Sequence, residues 1–395
     1  MKITYLHQYF KFPNQRGSTR SYDLATSFVK EGYEVVIIST SKNEKYKGKG
    51  WSIVKQDGLE VHYMYSSFGT HLSYLQRTLV FIKFMCFATL RLLKIKADVV
   101  LATSTPLTIG IPAMIKKWVH KTPYVFEVRD VWPEAVIAIG AVKSKIMQKW
   151  LYFQERIIYK NADYIVPLST DMQKSIVERF PKFTNKTNVV IENISEVDRF
   201  QSPKVVSVNI EECIGVKPRF TILYAGTFGR VNGLSYVVDL AAQTLDLDPS
   251  LIYILMGAGG EKEKVKSLAV QKGVLNKNLF IINPISKDEL PAWYKSIDMG
   301  SSFVIDIKEL WANSANKFFD SLAAGKPILI NHQGWQATAI EKDNIGYVLP
   351  EKLAKEEVEK SIQIIEAAKE AEEKGLGVIQ VNGKMVDVPV IKKAE

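Results

Sequence analysis

The stretch NSANKFFDSLAAGKP, residues 313–327, decides how the rest of the chain is interpreted. Polar residues open it, an amphipathic run suited to a helix follows, and Gly325 and Pro327 close it. We expect Ser314 to cap that helix, so that the free N–H groups of the first turn face whatever lies in front of them. The sequence therefore predicts an anion site at the start of this helix.

The charged residues of this stretch indicate what kind of anion would bind. Lys317 brings an ammonium group to the first turn, next to Asn316, and would reinforce the helix dipole. Asp320, about one turn further on, can accept hydrogen bonds from the paired hydroxyls of a ribose. Phosphate and ribose together indicate a nucleotide, whereas a capped surface helix is the alternative interpretation.

The run NKFFDSLAAGKPIL, residues 316–329, resembles the donor-binding helix of family 4 glycosyltransferases of the GT-B fold. It is most similar to bacterial enzymes that build capsule, colanic acid or O-antigen repeat units, including the N-acetyl-fucosamine transferase type. Asp320 stands where that family has the second Glu of its Glu-x7-Glu motif. Ala312 stands where many members have the first Glu, so that carboxylate has no counterpart here.

Composition is that of a globular protein large enough for two domains. The chain has 395 residues, of which 47% are hydrophobic and 24% charged. Its two cysteines, Cys86 and Cys213, are too few for a disulfide framework and indicate a reducing cytoplasm. The N-terminal residues do not have the pattern of a signal peptide, and we expect no membrane-spanning segment.

Strand-like runs alternate with helical patterns along most of the chain, which predicts an α/β protein with parallel sheets. The resemblance implies two Rossmann-like domains that face a cleft. We expect an acceptor domain over residues 1–200, a nucleotide-sugar domain over 201–350 and an atypical tail over 351–395.

A Gly-Ser-Thr loop precedes the first predicted helix, with Gly17 and Ser18 followed by Arg20. Such a loop suits a phosphate or a sugar hydroxyl, although a purely structural turn fits the sequence equally well. The resemblance implies acceptor binding here, because the family places its first glycine-rich loop at this point.

The segment EVRDVWPE, residues 127–134, follows a predicted strand, at the end where open α/β sheets bind ligands. Similar enzymes carry a charged pair here, which makes Asp130, with Arg129, the candidate for orienting the acceptor hydroxyl or taking its proton. Trp132 and Glu134 would contact the acceptor sugar. A structural Arg129–Asp130 network is the alternative.

The loop after the first strand of the second domain reads AGTFGRVN, residues 225–232. Gly226, Thr227 and Gly229 would let the backbone approach a ligand, and Arg230 can grip a diphosphate. The loop resembles the family's Gly-x-x-Gly-Arg segment, except that Asn232 stands where many members have a Lys.

Two further loops complete the expected donor site. Gly257 opens a second glycine-rich loop, GAGG, after the next strand. Similar enzymes hold the base through backbone groups after a later strand, which here corresponds to Pro284 and Ile285.

Residues 72–96 predict an unusually apolar helix in a basic half of the chain. Residues 1–200 contain 29 Lys and Arg against 17 Asp and Glu, within a net charge of +10. One predicted stripe is apolar (Leu75, Leu79, Ile82, Cys86, Leu90, Leu93), and a separate arc is basic (Arg77, Lys83, Arg91, Lys94). This pattern suits a lipid surface, whereas a core helix with solvated lysines is the alternative. No nucleic-acid-binding motif is present.

The resemblance is expected to end near Pro350. A charged helix to about Lys374 and a hairpin with a type I′ turn at Asn382-Gly383 are predicted after it. These last 40 or so residues resemble the C-terminal region of citrate lyase β-subunit and related CoA-ester lyases.

The resemblance implies a retaining transfer of a sugar from a UDP-linked donor to a lipid-diphosphate-linked saccharide, at the inner face of the cytoplasmic membrane. Arg230 and Lys317 would neutralise the departing diphosphate, and neither a metal nor another cofactor is expected. The alternatives are a nucleotide-sugar-binding protein without turnover and a sugar-nucleotide epimerase.

Overall fold

A computed structural model describes residues 1–15, 17, 19–66, 74–351, 378–381 and 384–387. The chain divides into two compact units. Unit 1 contains Met1–Ile194 together with Lys308–Ser314, and unit 2 contains Ser195–Ile307 and Ala315–Glu395. Each unit is a sheet covered by helices, which confirms the expected α/β class with two Rossmann-like domains.

Unit 1 is built on a seven-stranded sheet in the order β3-β4-β2-β1-β5-β6-β7, parallel except for the β3–β4 pair. Its strands are β1 Lys2–Leu6, β2 Glu34–Ser41, β3 Trp51–Gln56, β4 Leu59–Tyr65, β5 Val99–Thr103, β6 Tyr124–Val128 and β7 Tyr164–Pro167. Its helices are α1 Arg20–Lys30, α2 Tyr74–Lys94, α3 Gly110–His120, α4 Glu134–Ala138, α5 Lys145–Asn161, α6 Thr170–Arg179 and, from further along the chain, α12 Lys308–Trp311.

Helices cover both faces of this sheet. The central strands are apolar on consecutive residues, as strands with two covered faces require. Connections that step in opposite directions along a parallel sheet lie on opposite faces, because each crossover is right-handed. Accordingly α1 packs with one core cluster, and α2, α3 and α5 share another.

Helix α2 confirms a helix within the predicted residues 72–96. Its buried residues are Phe84, Ala88 and Leu92. The predicted apolar stripe faces outward, with Leu79 and Leu90 strongly exposed. Apolar residues occupy several sides of this helix, so periodicity alone could not identify the buried side. The side chains of Leu75 and Arg77 lie outside the described residues.

Unit 2 is built on a six-stranded parallel sheet in the order β10-β9-β8-β11-β12-β13. Its strands are β8 Phe220–Thr227, β9 Leu251–Ala258, β10 Leu279–Ile282, β11 Met299–Ser302, β12 Ile328–Ile330 and β13 Gly346–Val348. Its helices are α7 Val197–Gln201, α8 Ile210–Ile214, α9 Ser235–Leu245, α10 Lys262–Gln271, α11 Leu290–Ser296, α13 Asn316–Ala323 and α14 Trp335–Asp343.

The stretch at residues 313–327 forms α13 as predicted, but the prediction that Ser314 caps this helix is wrong. Ala315 is the N-cap residue and makes no side-chain capping bond. The Ser314 hydroxyl instead accepts a hydrogen bond from the backbone N–H of Asn193 at 3.3 Å, within unit 1. The C-terminal end is as predicted: Gly325 has a φ of +67°, which permits the paired backbone bonds that close a helix.

The predicted hairpin in the tail is confirmed. Strands β14 Val378–Val381 and β15 Lys384–Asp387 pair antiparallel as a separate two-stranded sheet. The turn at Asn382-Gly383 and the charged helix predicted from residue 351 to about 374 lie outside the described residues.

Candidate functional site

The carboxyl ends of adjacent parallel strands bring the glycine loops of unit 2 together. Gly226 pairs with Gly257 in the register of β8 and β9, and Thr227 pairs with Ala258. A Cβ atom on Gly257 would lie 1.8 Å from the carbonyl oxygen of Gly226, so only glycine permits this approach. Pro284 and Ile285, both half-buried, follow β10 at the same edge of the sheet.

Lys317 lies against this edge from the first turn of α13. Its Nζ is 5.0 Å from the centroid of the Tyr224 ring, a cation–π contact. A Cβ atom on Gly226 would lie 3.0 Å from the Lys317 Cε and 3.1 Å from the Tyr224 hydroxyl oxygen, so glycine leaves room for the lysine. The predicted donor residues Gly226 and Lys317 are therefore neighbours.

The charge of Lys317 is only partly compensated. Burial lowers the pKa of Lys317 to about 8, and the nearby negative charge of Asp320 acts weakly in the opposite sense. Among the described residues, no carboxylate lies within ion-pair distance of its ammonium group. A bound anion would supply the missing counter-charge and raise this pKa again.

Arg230 is exposed, in a short 3-10 turn over Arg230–Asn232 that follows Gly229. It borders a cavity of about 560 Å³ between this turn, α9 and α10. Asn232 donates its side-chain N–H to the carbonyl oxygen of Thr227 at 2.9 Å and so braces the loop from within. This bracing contact comes from Asn232, and the Arg230 side chain is exposed beside it.

Asp320 is buried on α13 and already has protein partners. One carboxylate oxygen accepts a hydrogen bond from the Ser195 hydroxyl at 2.7 Å and pairs with the ammonium of Lys287. Lys287 also lies 5.2 Å from the centroid of the Phe200 ring. A ribose bound by Asp320 would share this carboxylate with Lys287, which the sequence did not single out.

Two further predicted donor residues, Asn316 and Ser314, belong to different units. Asn316 opens α13 in unit 2, whereas Ser314 belongs to unit 1 and is buried. The side chain of Asn193 also donates to the Ser314 carbonyl oxygen. Ser314 therefore has a structural partner, and its assignment to the donor site stays a prediction.

In unit 1 the strand ends place Arg129 next to a buried histidine. The Arg129 guanidinium donates to Nε2 of His7 at 3.3 Å, and Nδ1 of His7 lies 2.6 Å from the Ser21 hydroxyl. Because Nε2 accepts, Nδ1 carries the hydrogen and donates to Ser21. Burial and then the Arg129 charge hold the pKa of His7 well below its ordinary value, so the imidazole is neutral.

Arg20, predicted to bind the acceptor, is buried in an ion pair. Its guanidinium donates to Glu127 at 2.7 Å and to the backbone carbonyl of Glu192 at 2.6 Å. The other Glu127 oxygen accepts from the Thr103 hydroxyl at 2.9 Å. These contacts join α1, β6 and residue 192, so Arg20 has a structural role in the nucleotide-free protein.

Asp130 is exposed directly after β6 and accepts a hydrogen bond from the Thr105 hydroxyl at 2.7 Å. The backbone N–H of Arg129 donates to the Ser104 hydroxyl at 2.9 Å. Because Asp130 is exposed, its carboxylate is open to solvent.

The other predicted acceptor residues of unit 1 differ in their exposure and in their partners. Trp132 is half-buried, and Glu134 pairs with Arg179 at 3.2 Å and accepts from the Ser175 hydroxyl. Gly17 is exposed with a φ of +133°, and Ser18 lies outside the described residues. Their roles toward an acceptor stay predictions.

Sequence reasoning missed three residues of these edges: His7, Glu127 and Lys287. His7 and Glu127 adjoin the ends of predicted strands, which was a usable signal for both. Lys287 lies within the loop assigned to the base, but its pairing with Asp320 joins residues 33 positions apart. Within the described part of the chain no three His, Cys, Asp or Glu side chains converge as metal ligands do.

Family models match both halves of the chain. Residues 17–193 match the model described as a glycosyl transferase 4-like domain, and residues 214–375 match glycosyl transferases group 1. The second match continues to residue 375, so the resemblance extends beyond the predicted end near Pro350.

Curated relatives match at low identity. A putative colanic acid biosynthesis glycosyl transferase, WcaI of Escherichia coli K12, is 27% identical over 219 residues, which are 53% of this chain and 51% of that protein. The chain spans about half the length of the curated relatives it matches first. A stretch of 39 residues, 10% of this chain and 13% of that protein, is 54% identical to the citrate lyase subunit beta of Haemophilus influenzae.

Solved structures share the fold over nearly the whole chain. Sucrose-phosphate synthase from Thermosynechococcus elongatus has a TM-score of 0.69 at 13% identity and covers 93% of this chain and 90% of its own. Anabaena HepE, solved in complex with UDP and glucose, has a TM-score of 0.66 at 15% identity, covering 95% and 91%.

Proposed function

We propose that this chain, a glycosyltransferase by the families to which both of its domains belong, moves a sugar from a UDP-linked donor to a lipid-linked saccharide. The reaction proposed retains the anomeric configuration. Its setting is surface polysaccharide synthesis, at the inner face of the cytoplasmic membrane and without a metal or other cofactor.

The observation that carries this proposal is the ammonium of Lys317 beside the glycine edge. This ammonium lies over the Tyr224 ring and next to Gly226. It lacks an ion-pair partner within the described residues. A diphosphate bound there would contact the Lys317 ammonium on α13 and the Arg230 guanidinium in the loop that follows β8. Both charges would oppose the negative charge that grows on the diphosphate as the glycosidic bond breaks.

The rest of the donor can be assigned along the same edge. Asp320 would hold the ribose and release part of its interaction with Lys287, while the backbone near Pro284 and Ile285 would hold the base. The complex of HepE with UDP and glucose supports a uridine nucleotide as the donor class.

The acceptor hydroxyl is assigned to unit 1. Asp130 is exposed and would orient that hydroxyl or take its proton, with the Arg129 guanidinium nearby. The name of WcaI, which places that relative in colanic acid biosynthesis, supports a saccharide of the cell surface as the acceptor. A lipid diphosphate would anchor it at the membrane.

A nucleotide-sugar-binding protein without turnover is the second candidate, and Ala312 favours it. Ala312 packs against the buried residues Val131, Leu168 and Met172, where many family members have a carboxylate. An epimerase is the remaining alternative, and no observation on these residues favours it.

A thermal-shift comparison of UDP, GDP and CMP tests the donor site first. A nucleotide that binds only the folded protein raises the unfolding midpoint in proportion to occupancy. UDP should stabilise the wild type but not Arg230→Ala/Lys317→Ala, whereas Lys266→Ala, an exposed lysine elsewhere in unit 2, should behave as wild type. No shift with any nucleotide would refute the donor site.

Turnover then separates the two candidates. Membranes carrying lipid-linked saccharides are incubated with UDP-sugars, and UDP release is measured for wild type and Asp130→Asn. Acceptor-dependent release that the variant loses supports the transferase, whereas UDP binding with no release on any acceptor supports the binding protein.

A further inference from the structure

Three helices on one face of the unit 1 sheet lack exposed acidic residues. The crossovers place α2, α3 and α5 side by side in that order, and α3 packs against both neighbours. Helices α2 and α3 contain no Asp or Glu. The single acid of α5, Glu155, is buried and accepts from Arg179 at 2.6 Å. The outer surface of this layer therefore carries only positive charge.

Helix α5 also exposes large apolar side chains in one row. Ile146 is 82% exposed, Trp150 50% and Phe153 59%. At about 100° per residue these three lie within an arc of roughly 60°, with Lys149 roughly 40° and Lys145 roughly 80° beyond the same edge of it. The exposed apolar residues of unit 2, such as Val206 and Val270, are smaller and belong to different segments.

We infer that the outer face of α5, with the outer face of α2 in the same helix layer, docks on an anionic lipid bilayer. Ile146, Trp150 and Phe153 would enter the headgroup region, and Lys145 and Lys149 would bind lipid phosphates. The inference deepens the proposed membrane location, on which it rests, by assigning the surface. No described helix is long and apolar enough to cross a bilayer.

Two other occupants fit this surface less well. A second copy of the same face would bring lysines against lysines, because the layer has no exposed acid to pair with them. A nucleic acid would satisfy the lysines but not the apolar row, and an isoleucine and a phenylalanine gain little from phosphates. Of these three occupants, the bilayer is the one that offers negative charge and an apolar interior together.

The surface also corrects the role predicted for α2. Lys83 and Lys94 are exposed, as a headgroup contact requires. Arg91 is instead turned toward the sheet: it donates to Nδ1 of His62 at 3.0 Å and lies over the Trp51 ring. The strongest apolar anchors are on α5, which the sequence did not single out.

Cosedimentation of the full chain with vesicles tests the inference, using phosphatidylcholine alone or mixed with phosphatidylglycerol. Wild type should bind the mixed vesicles. The affinity of Trp150→Ser/Phe153→Ser for these vesicles should be at least about tenfold lower, because the buried apolar area is lost. The affinity of Lys145→Glu/Lys149→Glu should also fall about tenfold or more, and its residual binding should depend less on salt.

Matched variants in unit 2 supply the controls. Val206→Ser/Val270→Ser and Lys266→Glu/Lys342→Glu change exposed residues of the same kinds and should bind as wild type. Undiminished binding by Trp150→Ser/Phe153→Ser would overturn the inference, and competition by heparin in that variant would indicate a polyanion site. If wild type binds UDP but no vesicle, the surface is refuted while the donor site stands.

Discussion

Arg20 of unit 1 and Lys317 of unit 2 are both cations at the carboxyl edge of a parallel sheet, yet their surroundings differ. Arg20 is 2% exposed and is matched by the Glu127 carboxylate and a backbone carbonyl. Lys317 lies over an aromatic ring, and burial lowers its pKa to about 8. The first cation has a carboxylate partner, whereas the second has an aromatic ring and no ion-pair partner among the described residues.

The difference concerns these two cations: Arg20 has a structural partner, and Lys317 is the one that we propose for binding. A buried ion pair is costly to break because the remaining charge stays desolvated. A lysine with a lowered pKa destabilises the nucleotide-free protein slightly and recovers that free energy when an anion binds. Three measurements test this comparison.

The largest effect is expected for Arg20→Met, which leaves Glu127 buried without its counter-charge. The free energy of unfolding should fall by about 3 to 5 kcal/mol. Urea denaturation, followed through the transition of unit 1, measures it. The double variant Arg20→Met/Glu127→Gln should lose less than the single variant, and an equal or greater loss would mean that the pair is not what matters.

A smaller effect on stability and a clear one on binding are expected for Lys317→Met. Affinity for UDP should fall about 100-fold, because a charged partner of the diphosphate is removed. The unfolding midpoint of the nucleotide-free protein should rise, since the partly desolvated ammonium is gone. Calorimetric titration and a thermal scan report the two quantities. A fall in both the UDP affinity and the unfolding midpoint would mean that Lys317 stabilises the fold, as Arg20 does.

The smallest effect is a pH dependence of UDP binding. Lys317 binds the diphosphate in its protonated form, so affinity should fall about tenfold between pH 7 and pH 9 as the pKa near 8 is passed. In the same range the unfolding free energy of the nucleotide-free protein should rise, because the unfolded chain keeps a proton that the folded chain releases. Lys317→Arg should bind UDP with little change over this range, and a wild-type profile equally flat would contradict the lowered pKa.

The fold and the approximate edge of the donor site followed from local sequence. Alternating strand and helix patterns predicted the two sheets, and glycines after strands predicted where backbones approach closely. Gly325 also predicted the end of α13, because a positive φ is a local requirement. Lys317 was found because it belongs to the same short stretch.

What local sequence could not predict depends on partners that are distant in sequence. Ser314 is a reasonable cap by residue type, but its hydroxyl accepts from the backbone N–H of Asn193, 121 residues earlier, so the cap prediction is wrong. The pairing of Arg20 with Glu127 likewise spans 107 residues. On α2, several faces are apolar enough to be buried, and tertiary packing selects the one with Phe84 and Leu92.

The assignment of residues 308–314 to unit 1 has a consequence for dissecting the protein into fragments. The chain passes from one compact unit to the other after Ile194, Ile307 and Ser314. A fragment that starts at residue 195 would carry Ala312 away from the residues of unit 1 against which it packs. A fragment that stops at residue 194 would lack α12. Neither unit can be obtained whole by a single cut, so expressing the two units separately requires grafting residues 308–314 onto unit 1.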